Sequence, residues 1–157
     1  MGLDVDTIVE LLQHASGESS PSLAVRDVLD ELIASTPALT AALPAVEHGG
    51  ITTLHNAVDL TVLQVAWTPG MALNPHNHEM WAVIGLYGGV EDNAFYRRAG
   101  TTLEAAGGRE VSAGDVLVPG HDVIQSVATT RRQYAVALHL YGGDFSRPGA
   151  GGWDLGP

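Results

Sequence analysis

Two histidines, His76 and His78, stand two positions apart in the segment GMALNPHNH, which covers residues 70–78. Side chains at positions i and i+2 of an extended chain project from the same face, so both imidazoles could bind one ion. Neutral imidazole suits divalent iron, nickel, copper, zinc and manganese, and an open site needs a third ligand from another strand. Two surface histidines in a turn would leave the same short pattern. The spacing alone therefore indicates a metal site only weakly.

The composition excludes several other kinds of site. The 157 residues include no cysteine, and all seven cationic side chains are arginine. The chain therefore cannot form zinc–thiolate clusters, iron–sulfur centres or a lysine Schiff base. A formal net charge of −11 repels nucleic acids and anionic lipids, so neither is an expected partner. The sequence shows no signal peptide and no apolar run of about 18 residues, so we expect a cytoplasmic protein.

The first third of the chain has the apolar periodicity of helices. The first helix is predicted from Val5 to about Gly17, with Asp4 or Asp6 in place to cap it. A second helix is predicted from residue 21 or 22 to about residue 35, where apolar residues form one stripe. A short third helix is predicted over residues 37–43.

From Ile51 onward the chain consists of short runs rich in Val, Leu, Thr, Tyr and Trp, separated by turn residues. Many short strands at close spacing favour a barrel or sandwich. We therefore expect a single domain with a helical segment at 1–48, a β-barrel at 49–145 and an irregular C-terminal arm at 146–157. The candidate strands are Thr52–Ala57, Leu60–Trp67, Met80–Tyr87, Ala94–Arg98, Thr101–Glu104, Arg109–Ser112, Asp115–Val118, Val123–Ala128 and Tyr134–Tyr141.

Longer stretches of the chain resemble a known family. The Gly-x5-His-x-His pattern, the Gly88-Gly89 turn and the run from Gly114 to Gly120 resemble the two motifs of the cupin double-stranded β-helix, a jelly-roll barrel. Within that superfamily, the runs PHNHEMWAVIGLYGGVEDNAFYRR, GDVLVPGHDVIQSV and ALHLYGGDF resemble the cysteine dioxygenase (thiol dioxygenase) branch. The resemblance spans roughly Leu54 to Phe145. It implies a mainly β cupin fold with two or three N-terminal helices.

The resemblance also implies a mononuclear non-heme metal site. Its first two histidine ligands match His76 and His78, and the glutamate that many cupins place after them is absent, as in the thiol dioxygenase branch. The family's third histidine falls at Gln125, which could bind the metal ion or hydrogen-bond another ligand. His121 is the alternative third ligand, but four residues of extended strand span about 13 Å, so both cannot reach one ion. The expected cofactor is one divalent transition metal ion, Fe(II), with Ni(II) as the alternative.

The last strand carries the expected catalytic residues, His139 and Tyr141. They match a Ser-x-His-x-Tyr line of the family, in which the imidazole orients the tyrosine beside the bound substrate, and Ala137 stands in place of the serine. Residues 137, 139 and 141 share one face of a strand, so the His139 imidazole can hydrogen-bond the Tyr141 phenol. The other interpretation is a buried pair with no part in the chemistry.

Three residues are expected to bind the substrate. Thiol dioxygenases of the amino-acid type use an arginine to pair with the substrate carboxylate, and the matching position is His55, a weaker and pH-dependent partner. Val83 stands where animal members have the cysteine of a cysteine–tyrosine crosslink. Trp81, three residues after His78, could form a wall of the pocket, although aromatic residues at strand spacing more often pack in the core.

The resemblance implies an oxidoreductase: a metal-dependent, O2-using oxygenase that oxidises a small thiol, such as cysteine or a relative, at sulfur. The changes at Gln125, Ala137 and His55 leave open a product other than the plain sulfinate. Two other functions stay open, a metal-dependent cupin isomerase or lyase that does not use O2, and a non-catalytic cupin that binds a small molecule. A homodimer is compatible with the N-terminal helices or the Gly-rich tail covering a barrel edge.

Overall fold

The computed structural model describes residues 2–68, 72–76, 80–119, 124–128 and 135–145; for residues 72–76, 98 and 124–128 it describes the backbone alone. Within these ranges three helices precede nine strands. The helices are α1 (Val5–Ser16), α2 (Pro21–Ala34) and α3 (Thr36–Ala42). The strands are β1 (Gly50–Asn56), β2 (Thr61–Trp67), β3 (Ala72–His76), β4 (Ala82–Gly88), β5 (Val90–Ala99), β6 (Thr102–Ser112), β7 (Val116–Leu117), β8 (Ile124–Ala128) and β9 (Ala135–Tyr141).

The helices form where the apolar periodicity predicts them, and their ends have local causes. Asp4, rather than Asp6, caps α1, because its carboxylate accepts a hydrogen bond of 2.7 Å from the Thr7 amide. Pro21 begins α2, where its missing N–H would have had no partner in the helix. Each helix buries an apolar stripe. In the described part of the chain, no helix is both long enough and apolar enough to cross a membrane.

The strands form two antiparallel sheets. The five-stranded sheet has the order β1-β2-β9-β4-β7, and the four-stranded sheet has the order β3-β8-β5-β6. Strands far apart in sequence, such as β2 and β9, are therefore neighbours in the fold. The expected mainly β fold with N-terminal helices is confirmed.

Both faces of the five-stranded sheet are apolar, which is why β2 is buried at every position. On one face, which we call the helix face, side chains of the sheet pack against α1, α2 and α3; these include Leu60, Val62, Val83, Leu138 and Leu140. The opposite face, which we call the inner face, points toward the four-stranded sheet. It carries Leu63, Val65, Trp67, Ala82 and Tyr141, together with Ile84, Leu86 and Ala137, which pack with Val111 of β6.

Three strands differ from the predicted ones. β3 was not predicted as a strand, because its Asn and Pro are typical of turns. β5 begins at Val90, ahead of the predicted start at Ala94. β6 runs without a break through residues 105–108, where Ala-Ala-Gly-Gly indicated an end. Gly107 adopts a φ of 133°, and the pairing with β5 shifts register beside it, so a bulge accommodates the glycine within the strand.

Gly85 allows α2 to lie close to the helix face. A Cβ at this position would meet Cδ1 of Ile33 and would lie 2.7 Å from Cδ2 of Leu29, and both side chains are buried. We expect Gly85→Ala to lower the free energy of unfolding by about 1–3 kcal/mol, because α2 would have to move away from the sheet. Urea unfolding measures this change. Gly2→Ala, where the added methyl group meets open space, is the control, and equal stabilities of the two variants would contradict the prediction.

Candidate functional site

The predicted pair of His139 and Tyr141 lies on the inner face of β9, and both residues are fully buried. Nδ1 of His139 is 3.0 Å from the Tyr141 hydroxyl oxygen, and the two groups share a hydrogen bond. The register places His139 opposite Leu63 of β2 and Ile84 of β4, which belong to the same face. The face shared by residues 137, 139 and 141 is therefore the one that points toward the four-stranded sheet.

The phenol of Tyr141 has an apolar setting. Its ring stacks on Phe145 with 4.4 Å between the ring centroids, and Ala82 lies opposite it across β4. Burial raises the pKa of the Tyr141 phenol well above its ordinary value, and the negative charge of Glu91 raises it further. The hydroxyl therefore stays protonated and can act as a hydrogen-bond donor.

Glu91, which sequence reasoning did not single out, is a buried carboxyl group on β5. Its side chain is 1% exposed, and its Oε1 accepts a hydrogen bond of 3.0 Å from Nδ2 of Asn93. Glu91 lies opposite Val111, which packs against the inner face, so Glu91 shares the side of its sheet that faces Tyr141. Burial raises the pKa of Glu91 to about 7, although the Asn93 amide and the Trp67 indole act against the rise.

The signal that could have revealed Glu91 was present in the sequence. The residues Glu91, Asp92 and Asn93 follow the Gly88-Gly89 turn and suggest more turn, so the predicted strand began after them. A strand starting directly after the turn would have placed Glu91 and Asn93 on one face, in line with Phe95. A carboxyl group and an amide on the apolar side of a strand would then have indicated a polar site inside the barrel.

The expected metal ligands are only partly described. The register of β3 and β8 pairs His76 with Gln125, and directly opposite residues of antiparallel strands have Cβ atoms about 4.5–5.5 Å apart. His78 and the alternative ligand His121 lie outside the described residues. Among the side chains that the structure describes, no three or more His, Asp or Glu residues gather as a metal site. The backbone thus brings two of the expected ligand positions together, on adjacent strands.

Val83, which is expected to bind the substrate, lies on the helix face, on the opposite side of the sheet from Tyr141. It is fully buried in the cluster formed with the helices, whereas Ala82 is the residue that lies opposite Tyr141. A shift of one residue along a strand moves a side chain to the other face of the sheet. The position opposite the phenol on β4 therefore holds the small side chain of Ala82.

The other two expected substrate residues also lie away from the inner face. His55 is paired with Val62, whose side chain belongs to the helix face, so the register places His55 on that side of the sheet. Trp81 packs, partly buried, against the same cluster, and its backbone carbonyl accepts a 3.0 Å hydrogen bond from the Gly142 amide. The structure therefore does not bring His55, Trp81 or Val83 together with His139 and Tyr141.

Comparisons with known proteins identify the fold. No protein-family model matches the chain, and no curated protein matches it. Among solved structures, an RmlC-like cupin family protein with a double-stranded β-helix fold from Methanocaldococcus jannaschii is similar, with a TM-score of 0.54, 7% sequence identity, and coverage of 65% of this chain and 86% of that one. The cupin domain of Schizosaccharomyces pombe Cnp3 has a TM-score of 0.51 and 8% identity, with 60% of each chain covered.

These similarities concern the architecture. The double-stranded β-helix of cupin proteins is the fold of this chain, as the sequence motifs predicted. At such low identity the likeness carries no information about substrate, metal or reaction.

Proposed function

We propose that this cupin is a metal-dependent oxygenase that uses O2 to oxidise a small thiol at sulfur. The observation that carries the proposal is the buried, hydrogen-bonded pair of His139 and Tyr141 on the inner face. In the balanced reaction, R–SH and O2 give R–SO2H, so both oxygen atoms end on sulfur, which loses four electrons. A product other than the plain sulfinate is compatible with the same site.

His76, His78 and Gln125 would hold the metal ion. The pairing of His76 with Gln125 across β3 and β8 supports this set, because adjacent positions on one face can share an ion. Two imidazoles and an amide oxygen suit Fe(II) and also accept Ni(II). When bound, such an ion would lower the pKa of the thiol and keep sulfur and O2 adjacent.

The Tyr141 hydroxyl would act as a hydrogen-bond donor to the substrate sulfur group as its oxygen atoms are added. When Nδ1 of His139 carries the imidazole proton, it donates to the phenol oxygen and leaves the phenol O–H free for the substrate. Burial of both residues excludes water from this hydrogen bond and fixes the ring. Tyr141 is thus the catalytic residue of the proposal, and His139 positions it.

Metal analysis tests this proposal. After purification and anaerobic reconstitution, we expect about one iron or nickel per chain and thiol-dependent O2 uptake. His76→Ala should lose both the metal and the uptake, whereas His48→Ala, which changes an exposed loop histidine, should keep both. Metal loss in Gln125→Ala would support Gln125 as the third ligand, and metal retention would favour His121.

Two results would overturn the proposed reaction. Stoichiometric metal without thiol-dependent O2 uptake would favour a cupin isomerase or lyase. A protein that takes up no metal after reconstitution would favour a non-catalytic binding function.

A further inference from the structure

Glu91 is a buried acidic group that the proposed role of Tyr141 does not explain. Its Oε1 accepts the hydrogen bond from Asn93, and no hydrogen bond of good geometry reaches Oε2 from the described residues. Asn93 lies two residues further along β5, on the same face as Glu91. This bond therefore holds the carboxyl group beside the Asn93 amide.

The strand register connects Glu91 with the expected metal ligands. Phe95 of β5 lies opposite Gln125 of β8, and Gln125 lies opposite His76 of β3. Glu91 and Phe95 share a face, since they are an even number of residues apart, and about 13 Å of strand separate them. The hydrogen bond to Asn93 holds the carboxyl group beside a residue that lies within this interval. A metal ion bound at the row of Gln125, a molecule of a few carbon atoms and the Glu91 side chain would together span this interval.

The charges around Glu91 indicate which group it would accept. A buried carboxylate is stable when a cation pairs with it, and is otherwise driven toward its protonated form. No arginine side chain that the structure describes lies in the barrel interior. Arg26 pairs with Asp27 on α2, and Arg97 and Arg109 are exposed on the four-stranded sheet.

We propose that the Glu91 carboxylate receives a positively charged group of the substrate, and that the thiol is therefore a small aminothiol without a free carboxylate. That the substrate is a thiol rests on the proposed thiol oxidation. A substrate ammonium group would form a charge-assisted hydrogen bond with Oε2 and compensate the buried charge. A substrate carboxylate in the same place would be repelled by Glu91.

The placement of His55 agrees with this substrate class. An amino-acid thiol needs a cationic partner for its carboxylate, and His55, the residue expected in that role, lies on the side of the sheet covered by the helices. Among the described residues, the inner side of the barrel therefore offers an anion to the substrate and no guanidinium.

Anaerobic calorimetry on the metal-reconstituted protein tests the cation subsite. The probes are 2-aminoethanethiol and 3-mercaptopropionate, which place an ammonium group and a carboxylate, respectively, near a thiol. We expect the aminothiol to bind about tenfold more tightly or better. Glu91→Gln should abolish this preference, whereas Glu104→Gln, which neutralises an exposed carboxylate of the same sheet, should preserve it.

The outcomes separate this inference from the proposed reaction. A Glu91-dependent preference for the aminothiol without O2 uptake would support the cation subsite and overturn the oxygenase function. Equal or tighter binding of 3-mercaptopropionate, a preference that survives in Glu91→Gln, or no binding of either probe would overturn the cation subsite. Thermal unfolding of each variant shows whether the barrel is folded under the binding conditions.

Discussion

Replacing Glu91 by glutamine should make the protein progressively more stable than the unmutated chain as the pH rises from 5 to 8. The pKa of Glu91 in the folded protein is about 7, against an ordinary value of 4.5. Between these values the folded protein keeps the proton and the unfolded chain has lost it, so the stability that this proton contributes declines as the pH rises through the window. A shift of this size corresponds to roughly 2–3 kcal/mol between pH 5 and 8.

Urea unfolding at pH 5, 6, 7 and 8 measures this effect as the difference between Glu91→Gln and the unmutated protein. The difference should grow by roughly 2–3 kcal/mol in favour of the variant across the range. Glu104→Gln removes the same charge from an exposed site, and its curve should run parallel to that of the unmutated protein. Parallel curves for Glu91→Gln as well would show that the buried carboxyl group does not retain its proton.

The helices were predictable because their signals are local. The capping carboxylate of Asp4 and the proline at the start of α2 act within three residues of the helix ends that they determine. The boundaries of α1 and α2 therefore agree with the predicted ones within about two residues, a margin that frayed helix ends allow. Most strands were found for a similar reason, because apolar runs bounded by turn residues are also local patterns.

The strand around Glu91 was missed because the determining contacts are distant in sequence. Asp92 and Asn93 pair with Ala128 and Val127 of β8, and with residues of β6 on the other side. Glu91 pairs with Val111 of β6, and pairing on both sides holds Asp92 and Asn93 in an extended conformation that their own preferences do not favour. The buried polar residues of β5 therefore lie where contacts with distant strands override the local preference for a turn.

The face of the sheet to which a side chain belongs was not predictable from the sequence, for a related reason. The order of residues in β4 does not show which of two neighbouring apolar residues, Ala82 or Val83, points inward, because both are fully buried. Only the pairing of β4 with β9 distinguishes them. In a sheet that is apolar on both faces, alternation carries no signal, and a shift of one residue exchanges the two faces.

The same pairing of β4 with β9 places His139 and Tyr141 on the inner face. They are the residues of the candidate site that the structure supports most directly. They were identified from the spacing and the resemblance, and the structure places them in contact. Their hydrogen bond also satisfies two polar groups in an apolar interior, as it would in a purely structural pair. Burial alone therefore does not distinguish a catalytic pair from a structural one. Activity and stability must therefore be measured on the same variants.

Tyr141→Phe should lower the turnover number of thiol-dependent O2 uptake by about 100-fold and leave the metal content unchanged. The variant keeps the ring and its stacking on Phe145 but removes the hydroxyl that would donate to the reacting sulfur group, and such a donor contributes about 10²–10⁴-fold. Because this contact is made in the reaction rather than in binding, the KM should change much less than the kcat.

Tyr87→Phe is the matched control for this loss of a buried phenol hydroxyl. Tyr87 lies in the cluster at the helix face, where its hydroxyl accepts a hydrogen bond of 2.7 Å from Nε2 of Gln64. Both variants leave one buried partner without its hydroxyl, so each should lose about 1–3 kcal/mol of unfolding free energy. Only the variant at Tyr141 should lose turnover, since only that hydroxyl faces the barrel interior. Similar turnover in the two variants would assign the His139–Tyr141 hydrogen bond to stability instead of catalysis.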